Sequence, residues 1–252
     1  MRAIILAGGR GTRLKPYTTV IPKPLVPVGD RAVLEILLDN LRIYGITEVT
    51  MCVNHCAELI KAYFGNGSRY GIKIDYSLEE KPLSTVAPIK LLKDLPENFL
   101  VMNGDLLTEL DFADFFNYHL HNEGLLTIAT YKRTVNVDFG VIDIDSENNF
   151  ATSFIEKPNY NFNVSMGVYA FKRQILDYVP VNHPFGFDNL MLKMLALKMP
   201  VKTYNYSGYW LDIGRPADYE KANNDIEELE AAHRNVVAID AQDSINNHLR
   251  VI

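Results

Sequence analysis

The run MRAIILAGGRGTRLKPYTTVIPKPL, residues 1–25, decides how this chain is read. Ala3 to Ala7 form an apolar segment suited to a buried strand, which runs straight into Gly8, Gly9, Arg10, Gly11, Thr12 and Arg13. Further cations follow at Lys15 and Lys23. Glycines let backbone N–H groups close on an anion, and Arg13 and Lys23 add charge. The loop therefore reads as a phosphate site at the carboxyl end of a first strand, where open α/β sheets bind ligands. Its spacing excludes two common phosphate loops. The P-loop order of Gly, four residues and Gly-Lys-Ser/Thr is absent, and Leu14 stands where the dinucleotide fingerprint needs its last glycine. On these residues alone, a plain turn with solvated cations remains the alternative.

Outward from that loop, apolar or β-branched runs recur at EVTMCV (48–53), IKIDYS (72–77) and FLVMN (99–103). Between them Val33, Ile36, Leu37, Asn40, Leu41 and Tyr44 follow helical spacing, as do Leu59, Ile60, Tyr63 and Phe64. Strands alternating with helices imply a Rossmann-like α/β fold: an open, mainly parallel sheet with helices on both faces. After Asp105 the rhythm changes. A helix is expected from about 111 to 121 and a strand over 125–133. FGVIDID and FATSFIEK flank Ser146 to Asn149 as a hairpin, a strand follows over 165–172, and a helix begins near Phe187.

The second half thus reads as mixed, with a smaller antiparallel lobe. No Gly/Ser-rich or Pro-rich linker interrupts the chain, so residues 1–233 read as one domain: a lobe over 1–110, a second over 111–215 and a docking helix over 216–233. That helix has Pro216 near its start and Tyr219, Ala222, Ile226 and Leu229 on one stripe. The segment 234–252 reads equally as an oligomer contact or a packed tail, which keeps a homo-oligomer among the expectations.

Composition narrows the function. With 252 residues and 48% hydrophobic content the chain can fill a substantial core, and a formal charge of -6 argues against a general nucleic-acid binder. No apolar run reaches membrane-spanning length and the amino terminus lacks signal-peptide order, so the expectation is a cytoplasmic protein without a membrane partner. Cys52, His55 and Cys56 in CVNHC lack a second cluster to complete a zinc site, and read as unpaired thiols at a strand end. His119 and His121 read as structural.

The first 25 residues also carry a resemblance. LAGGRGTRLKPYTTVIPKPLVPV resembles the signature of the sugar-phosphate nucleotidyltransferases, in which G-G-x-G-T-R-L precedes P-K-P. EEKPLSTVAPI (79–89), MNGDLL (102–107), FGVIDID (139–145), FIEKP (154–158), SMGVYAF (165–171) and YWLDIGRPADY (209–219) continue it in order, over roughly residues 1 to 225. The resemblance implies that Leu6, Ala7, Gly8, Gly9, Gly11 and Thr12 cradle a nucleotide, joined by Glu79, Glu80, Pro82, Ser84, Thr85 and Gly104. Arg13 and Lys23 would grip its phosphates and, with Asp105, carry catalysis. Asp105 and Asp212 would hold Mg²⁺. Asn103, Gly140, Glu156, Lys157, Ser165 and Gly167 would form the sugar-phosphate side.

The implied reaction joins a nucleoside triphosphate to a sugar 1-phosphate and releases pyrophosphate. Two anions must be brought together and aligned, which calls for cations and a metal. A phosphate dianion needs no protein base, consistent with the lack of an evident catalytic histidine. Three positions depart from the family pattern: Ser84 where glycine is usual, Ser165 where asparagine is common and Arg215 where threonine is usual. They bear on the choice of base and sugar. EEKPLSTVAPI resembles the form seen among guanylyl- and some other transferases more than the glutamine-bearing form of the glucose-1-phosphate thymidylyltransferases, so GTP is favoured over dTTP, CTP or UTP. A non-catalytic sensor of the same fold and an NAD-dependent oxidoreductase are the alternatives. Intact Arg13, Lys23, Asp105 and Asp212 oppose the first, and the missing glycine opposes the second.

Overall fold

The computed structural model describes residues 1–79 and 81–229. The apolar start of the chain forms β1 (Arg2–Leu6), and a tight hairpin of β2 (Pro27–Val28) and β3 (Arg31–Ala32) leads into α1 (Val33–Ile43). Then come β4 (Glu48–Val53), α2 (Ala57–Phe64), β5 (Lys73–Leu78), β6 (Asn98–Asn103) and the short β7 (Leu106–Thr108). Next is α3 (Phe112–Leu120), whose N-cap Asp111 accepts a hydrogen bond from the Asp114 N–H at 2.8 Å. The chain continues through β8 (Leu126–Asn136), β9 (Val141–Ile144), β10 (Ala151–Ile155), β11 (Asn159–Lys172), α4 (Phe187–Ala196), β12 (Val201–Tyr206) and β13 (Trp210–Asp212). Residues 216–229 are helical.

Seven strands form the central sheet in the order β12-β8-β11-β6-β1-β4-β5. β1 lies parallel to β4 and β6, β4 to β5, and β8 to β12, while β11 runs antiparallel to both β6 and β8. The sheet is therefore mainly parallel with one reversed strand, and helices cover both faces as expected. On one face α1, α2 and α3 pack Leu37, Leu41, Ile60, Phe64 and Phe115 against Ala3, Ile5 and Met51. On the other, Leu190 and Met194 of α4 close over Ile4, Phe99, Val101 and Phe171. A third cluster joins Leu14, Val28, Leu107, Leu211 and Ile213 to Ala222 and Ile226 of the helix over 216–229. It clamps the base of the glycine loop to β13.

The hairpin expected on either side of Ser146 to Asn149 is β9 paired with β10. The apolar stripe expected on α2 needs correction: Leu59 is 47% exposed and Tyr63 38%, and the buried line is Ala57, Ile60 and Phe64. Positions three and four apart share a helix face, whereas Leu59 and Tyr63 each precede a buried residue by one place and turn away from it. Residues 230–233 of the expected docking helix, the segment 234–252 and Glu80 lie outside the described residues.

Candidate active site

The site begins where β1 ends. The Ala7 N–H still bonds the Cys52 carbonyl at 2.8 Å, and beyond it the chain leaves the sheet through the glycines. A Cβ on Gly8 would lie 3.2 Å from Asn54 Cβ and 3.3 Å from Glu79 Oε1, so this turn passes close against the ends of β4 and β5. Gly11 has φ +60°, and a Cβ there would meet Thr18 Cγ2 at 2.9 Å. The Thr18 hydroxyl donates to the Gly11 carbonyl at 2.7 Å and fixes the turn. Lys23 opens a single helical turn, Lys23–Leu25, which directs it back toward the loop.

Two carboxylates approach from the other side. Asp105 lies in the turn from β6 to β7, where the Gly104 N–H bonds the Leu6 carbonyl at 3.1 Å and draws this turn against β1. β13 pairs with β7 in the register Asp212 opposite Leu106, and the Ile213 N–H bonds the Asp105 carbonyl at 3.1 Å. That short pairing brings two sequence-distant aspartates together. Lys23 Nζ forms an ion pair with Asp105 and lies 3.6 Å from Asp212 Oδ1. Burial lowers the pKa of Lys23, Arg13 lowers it further, and Asp212 opposes both. Asp212 Oδ1 is buried without a hydrogen-bond partner. A Cβ on Gly214 would be 3.6 Å from both Arg13 Nη2 and Asp212 Oδ1, in ordinary van der Waals contact with cation and carboxylate alike.

These groups line one cavity of about 530 Å³. Of the residues expected to bind nucleotide, Leu6, Ala7, Gly8, Gly9, Gly11, Thr12, Arg13 and Lys23 line it, as do Glu79, Pro82, Ser84, Thr85 and Gly104. Asn103, Asp105 and Asp212 join them. Arg10, Pro24, Asn54 and Gly214 also line the cavity. Sequence reasoning assigns no role to Asn54, Pro24 or Arg10. The available signal for Asn54 was its place just past the carboxyl end of a parallel strand.

Glu79 is a buried wall residue. Its Oε2 accepts from the Leu83 N–H at 3.2 Å, while Asn54 Nδ2 donates to its backbone carbonyl at 2.7 Å. Burial raises its carboxyl pKa, and the Leu83 hydrogen bond pulls the other way. Ser84 sits at φ +69°, a left-handed conformation. That explains why glycine suits this position. A serine there carries strain, and its loop is held by Thr85 Oγ1 accepting from the Phe187 N–H at 2.9 Å.

A second, smaller cavity of about 110 Å³ shares Leu6, Thr85 and Asn103 with the first and is walled by Tyr169, Phe171 and Phe187. Ser165 Oγ bonds the Tyr169 hydroxyl at 3.1 Å, and Gly167 abuts the Asn103 side chain. These two expected sugar-side residues thus stand behind the cavity walls. Gly140, Glu156 and Lys157 line neither cavity; they are exposed on the hairpin of β9 and β10. Neither histidine of the 119–121 pair enters the site. His119 is buried with Nδ1 at 2.8 Å from Thr127 Oγ1, and His121 bonds the Asn117 carbonyl. Cys52 is buried and its thiol is pushed up to about 12 by burial and the Glu79 carboxylate; Cys56 Sγ lies 3.4 Å from His55 Nε2.

The family model described as nucleotidyl transferase matches residues 2–229. This chain belongs to that family. It is 34% identical over 225 residues to the mannose-1-phosphate guanylyltransferase catalytic subunit beta of Dictyostelium discoideum, covering 87% of this chain and 62% of the relative. It is 30% identical over 271 residues to a UTP--glucose-1-phosphate uridylyltransferase of Synechocystis, covering 100% of this chain and 70% of that protein. The chain therefore spans 62% to 70% of the length of these curated relatives. Among solved structures, HddC from Yersinia pseudotuberculosis complexed with GMP-PN superposes with a TM-score of 0.69 at 28% identity, covering 89% of this chain and 99% of that one. No helix among the described residues is long and apolar enough to cross a membrane.

Proposed function

We propose that this chain is a sugar-1-phosphate nucleotidyltransferase that favours GTP. The observation that carries the reading is the convergence of Arg13, Lys23, Asp105 and Asp212 on one glycine-walled cavity. An oxygen of the sugar phosphate forms a bond to the α-phosphorus of the triphosphate, and the bond from that phosphorus to the bridging oxygen breaks to release pyrophosphate. The glycine-loop N–H groups and Thr12 hold the nucleotide phosphates. Arg13 neutralises the leaving pyrophosphate, and Lys23 keeps the α-phosphate in line. No proton must be taken from the attacking dianion, so no side chain serves as base.

Asp105 and Asp212 suit a divalent cation of the magnesium type. Both are hard oxygen donors, both already face one positive charge at Lys23, and Asp212 Oδ1 has no hydrogen-bond partner. No group of three or more His, Cys, Asp or Glu among the described residues could hold a metal. Phosphate oxygens and water would supply the remaining ligands, which is how Mg²⁺ is commonly held beside triphosphates. When bound, the ion would neutralise the triphosphate oxygens during displacement.

The preference for GTP rests on Glu79. Its buried carboxylate has one oxygen engaged by Leu83 and the other beside Gly8, an acceptor suited to the guanine N1–H and amino group. Uracil or thymine would offer it a single N–H, and cytosine an amino group without the adjacent ring N–H. UTP remains the second reading, because the Synechocystis relative is named as a uridylyltransferase. A pyrophosphate-release screen crossing GTP, UTP, CTP and dTTP with hexose and heptose 1-phosphates tests both levels. Release only with GTP and one class of sugar phosphate is expected. Release with UTP at least as fast would overturn the base assignment, and no release from any pair would overturn the activity.

A further inference from the structure

Behind the wall formed by Leu6, Thr85 and Asn103 lies the smaller cavity, to which the transfer of a nucleotide gives no task. Its depth is apolar. Val86, Val101 and Phe171 are buried there, and the Tyr169 and Phe187 rings stack beside them with centroids 3.9 Å apart. The Tyr169 hydroxyl does not break this pattern, because it accepts from Ser165 Oγ at 3.1 Å, and that Oγ in turn accepts from the Gly167 N–H at 3.3 Å. Ser165, one of the departures from the family pattern, thus anchors an aromatic wall. The cavity is also preformed. Thr85 Oγ1 accepts from the Phe187 N–H at 2.9 Å, and the Val86 and Ala87 N–H groups both bond the Phe185 carbonyl at 3.0 Å. The loop after Ser84 is thereby tied to the start of α4.

Polarity is confined to the mouth, where Asn103 and Thr85 line both cavities. The Asn103 side-chain amide makes no hydrogen bond to any described residue. It is nonetheless held in place, since a Cβ on Gly167 would come within 2.6 Å of its Nδ2. It offers one donor group and one acceptor, both unpaired. Thr85 uses its oxygen to accept from Phe187 and keeps its O–H free to donate. Beyond these two groups lie about 110 Å³ of apolar space. At about 30 Å³ for each water-sized group, that space admits about four non-hydrogen atoms.

An acetamido group has that size and that division of polarity. Its N–H suits Asn103 Oδ1, its C=O suits the Thr85 hydroxyl, and its methyl group suits the apolar depth. Other substituents fit less well. A plain hydroxyl leaves the depth empty, the extra hydroxymethyl of a heptose strands its oxygen among Val101, Phe171 and the two rings, and an ammonium there costs more still. The reacting phosphate fixes which ring carbon is concerned. Asn103 stands two residues before Asp105, at most about 7 Å along the chain, so a sugar whose phosphate reacts beside Asp105 and Asp212 brings the substituent next to its anomeric carbon toward Asn103. We propose that the smaller cavity receives a 2-acetamido group, and that the sugar substrate is a 2-acetamido-2-deoxyhexose 1-phosphate. This assignment rests on the transferase reading given above.

Paired substrates test it. Pyrophosphate release is measured with GTP and with UTP against the 1-phosphates of N-acetylglucosamine and N-acetylmannosamine, and against those of glucose and mannose. For the better acetamido sugar, kcat/KM should exceed that of its parent hexose by about 10- to 200-fold, the range for a small group filling an apolar pocket. A parent hexose turned over as fast or faster overturns the assignment. Val101→Ile adds a methyl group to the cavity wall and keeps a β-branched residue in β6, so the ratio of acetamido to parent kcat/KM should fall at least about tenfold. An unchanged ratio in the folded variant also overturns it. If no substrate pair releases pyrophosphate, the transferase reading fails, and calorimetry judges the cavity by itself. The acetamido sugar phosphate should then bind at least about tenfold more tightly than its parent, and equal affinities would remove the acetamido site as well.

Discussion

Replacing Lys23 by methionine should expose the electrostatic design of the site most directly. The ammonium pairs with Asp105 and lies 3.6 Å from Asp212, with side-chain exposures of 14% for Lys23, 13% for Asp105 and 38% for Asp212. Methionine keeps much of the stem and removes the charge, leaving two carboxylates facing each other. Breaking a buried pair in this way costs about 3–5 kcal/mol, and the solvent reaching Asp212 reduces that to about 2–4 kcal/mol. For a chain of this size each kcal/mol moves Tm by roughly 2–4 °C, so melting in EDTA should fall by roughly 4–16 °C. Millimolar Mg²⁺ should restore part of the loss in Lys23→Met and barely move the wild type, because only the variant has an uncompensated carboxylate pair. Turnover should fall at least about 100-fold, the usual scale for losing one transition-state donor. Calorimetry with and without Mg²⁺ decides the matter. An unchanged Tm in EDTA, or a loss that Mg²⁺ does not reduce, would refute the bridging role of Lys23.

Three further outcomes follow from other positions. Burial holds His119 at about 4 against 6.5 for a free histidine, so its contribution to stability is present above pH 6.5 and lost as pH falls toward 4. The loss should reach about 2–3 kcal/mol in urea titrations at a series of pH values, and His119→Phe should flatten that dependence; an equally steep curve in the variant would assign the acid sensitivity elsewhere. Ser84→Gly should raise stability by up to about 1 kcal/mol by relieving a left-handed serine, and a destabilised variant would contradict the strain assigned there. Gly11→Ala should cost about 1–2 kcal/mol and also lower kcat, because the new methyl group would press on Thr18 and lie 3.3 Å from Lys23 Cβ. Wild-type kcat in a folded Gly11→Ala protein would show that the loop tolerates the shift.

Legibility of the sequence tracked the range of the interactions. β1, β4, β5 and β6 could be placed within about a residue of their observed bounds because each is a short apolar run, and a buried parallel strand needs little else. β12 was missed: its VKTYNY pattern is half-exposed at the sheet edge and signals no face. β7 and β13 are three residues each and exist as strands only because they pair with one another. Thr108 Oγ1 bonds the Tyr209 carbonyl across 101 positions, a separation that local periodicity cannot bridge. The apolar line on α2 was right at Ile60 and Phe64 and wrong at Leu59 and Tyr63, each one position before a buried residue.

The sequence by itself determined the parts whose physics is local. Glycines at 8, 9 and 11 with Arg13 and Lys23 make an anion loop after a buried strand, and the ordered motif blocks fixed the family. Only the tertiary structure decided which charges meet. Asp105 and Asp212 become a pair because β13 docks on β7, and Lys23 becomes their bridge because its helical turn folds back beneath the loop. The same holds for Glu156 and Lys157, whose motif was legible but whose exposure on the hairpin of β9 and β10 was not. A strand's partner is chosen by burial and register over the whole chain, and no window of neighbouring residues contains that choice.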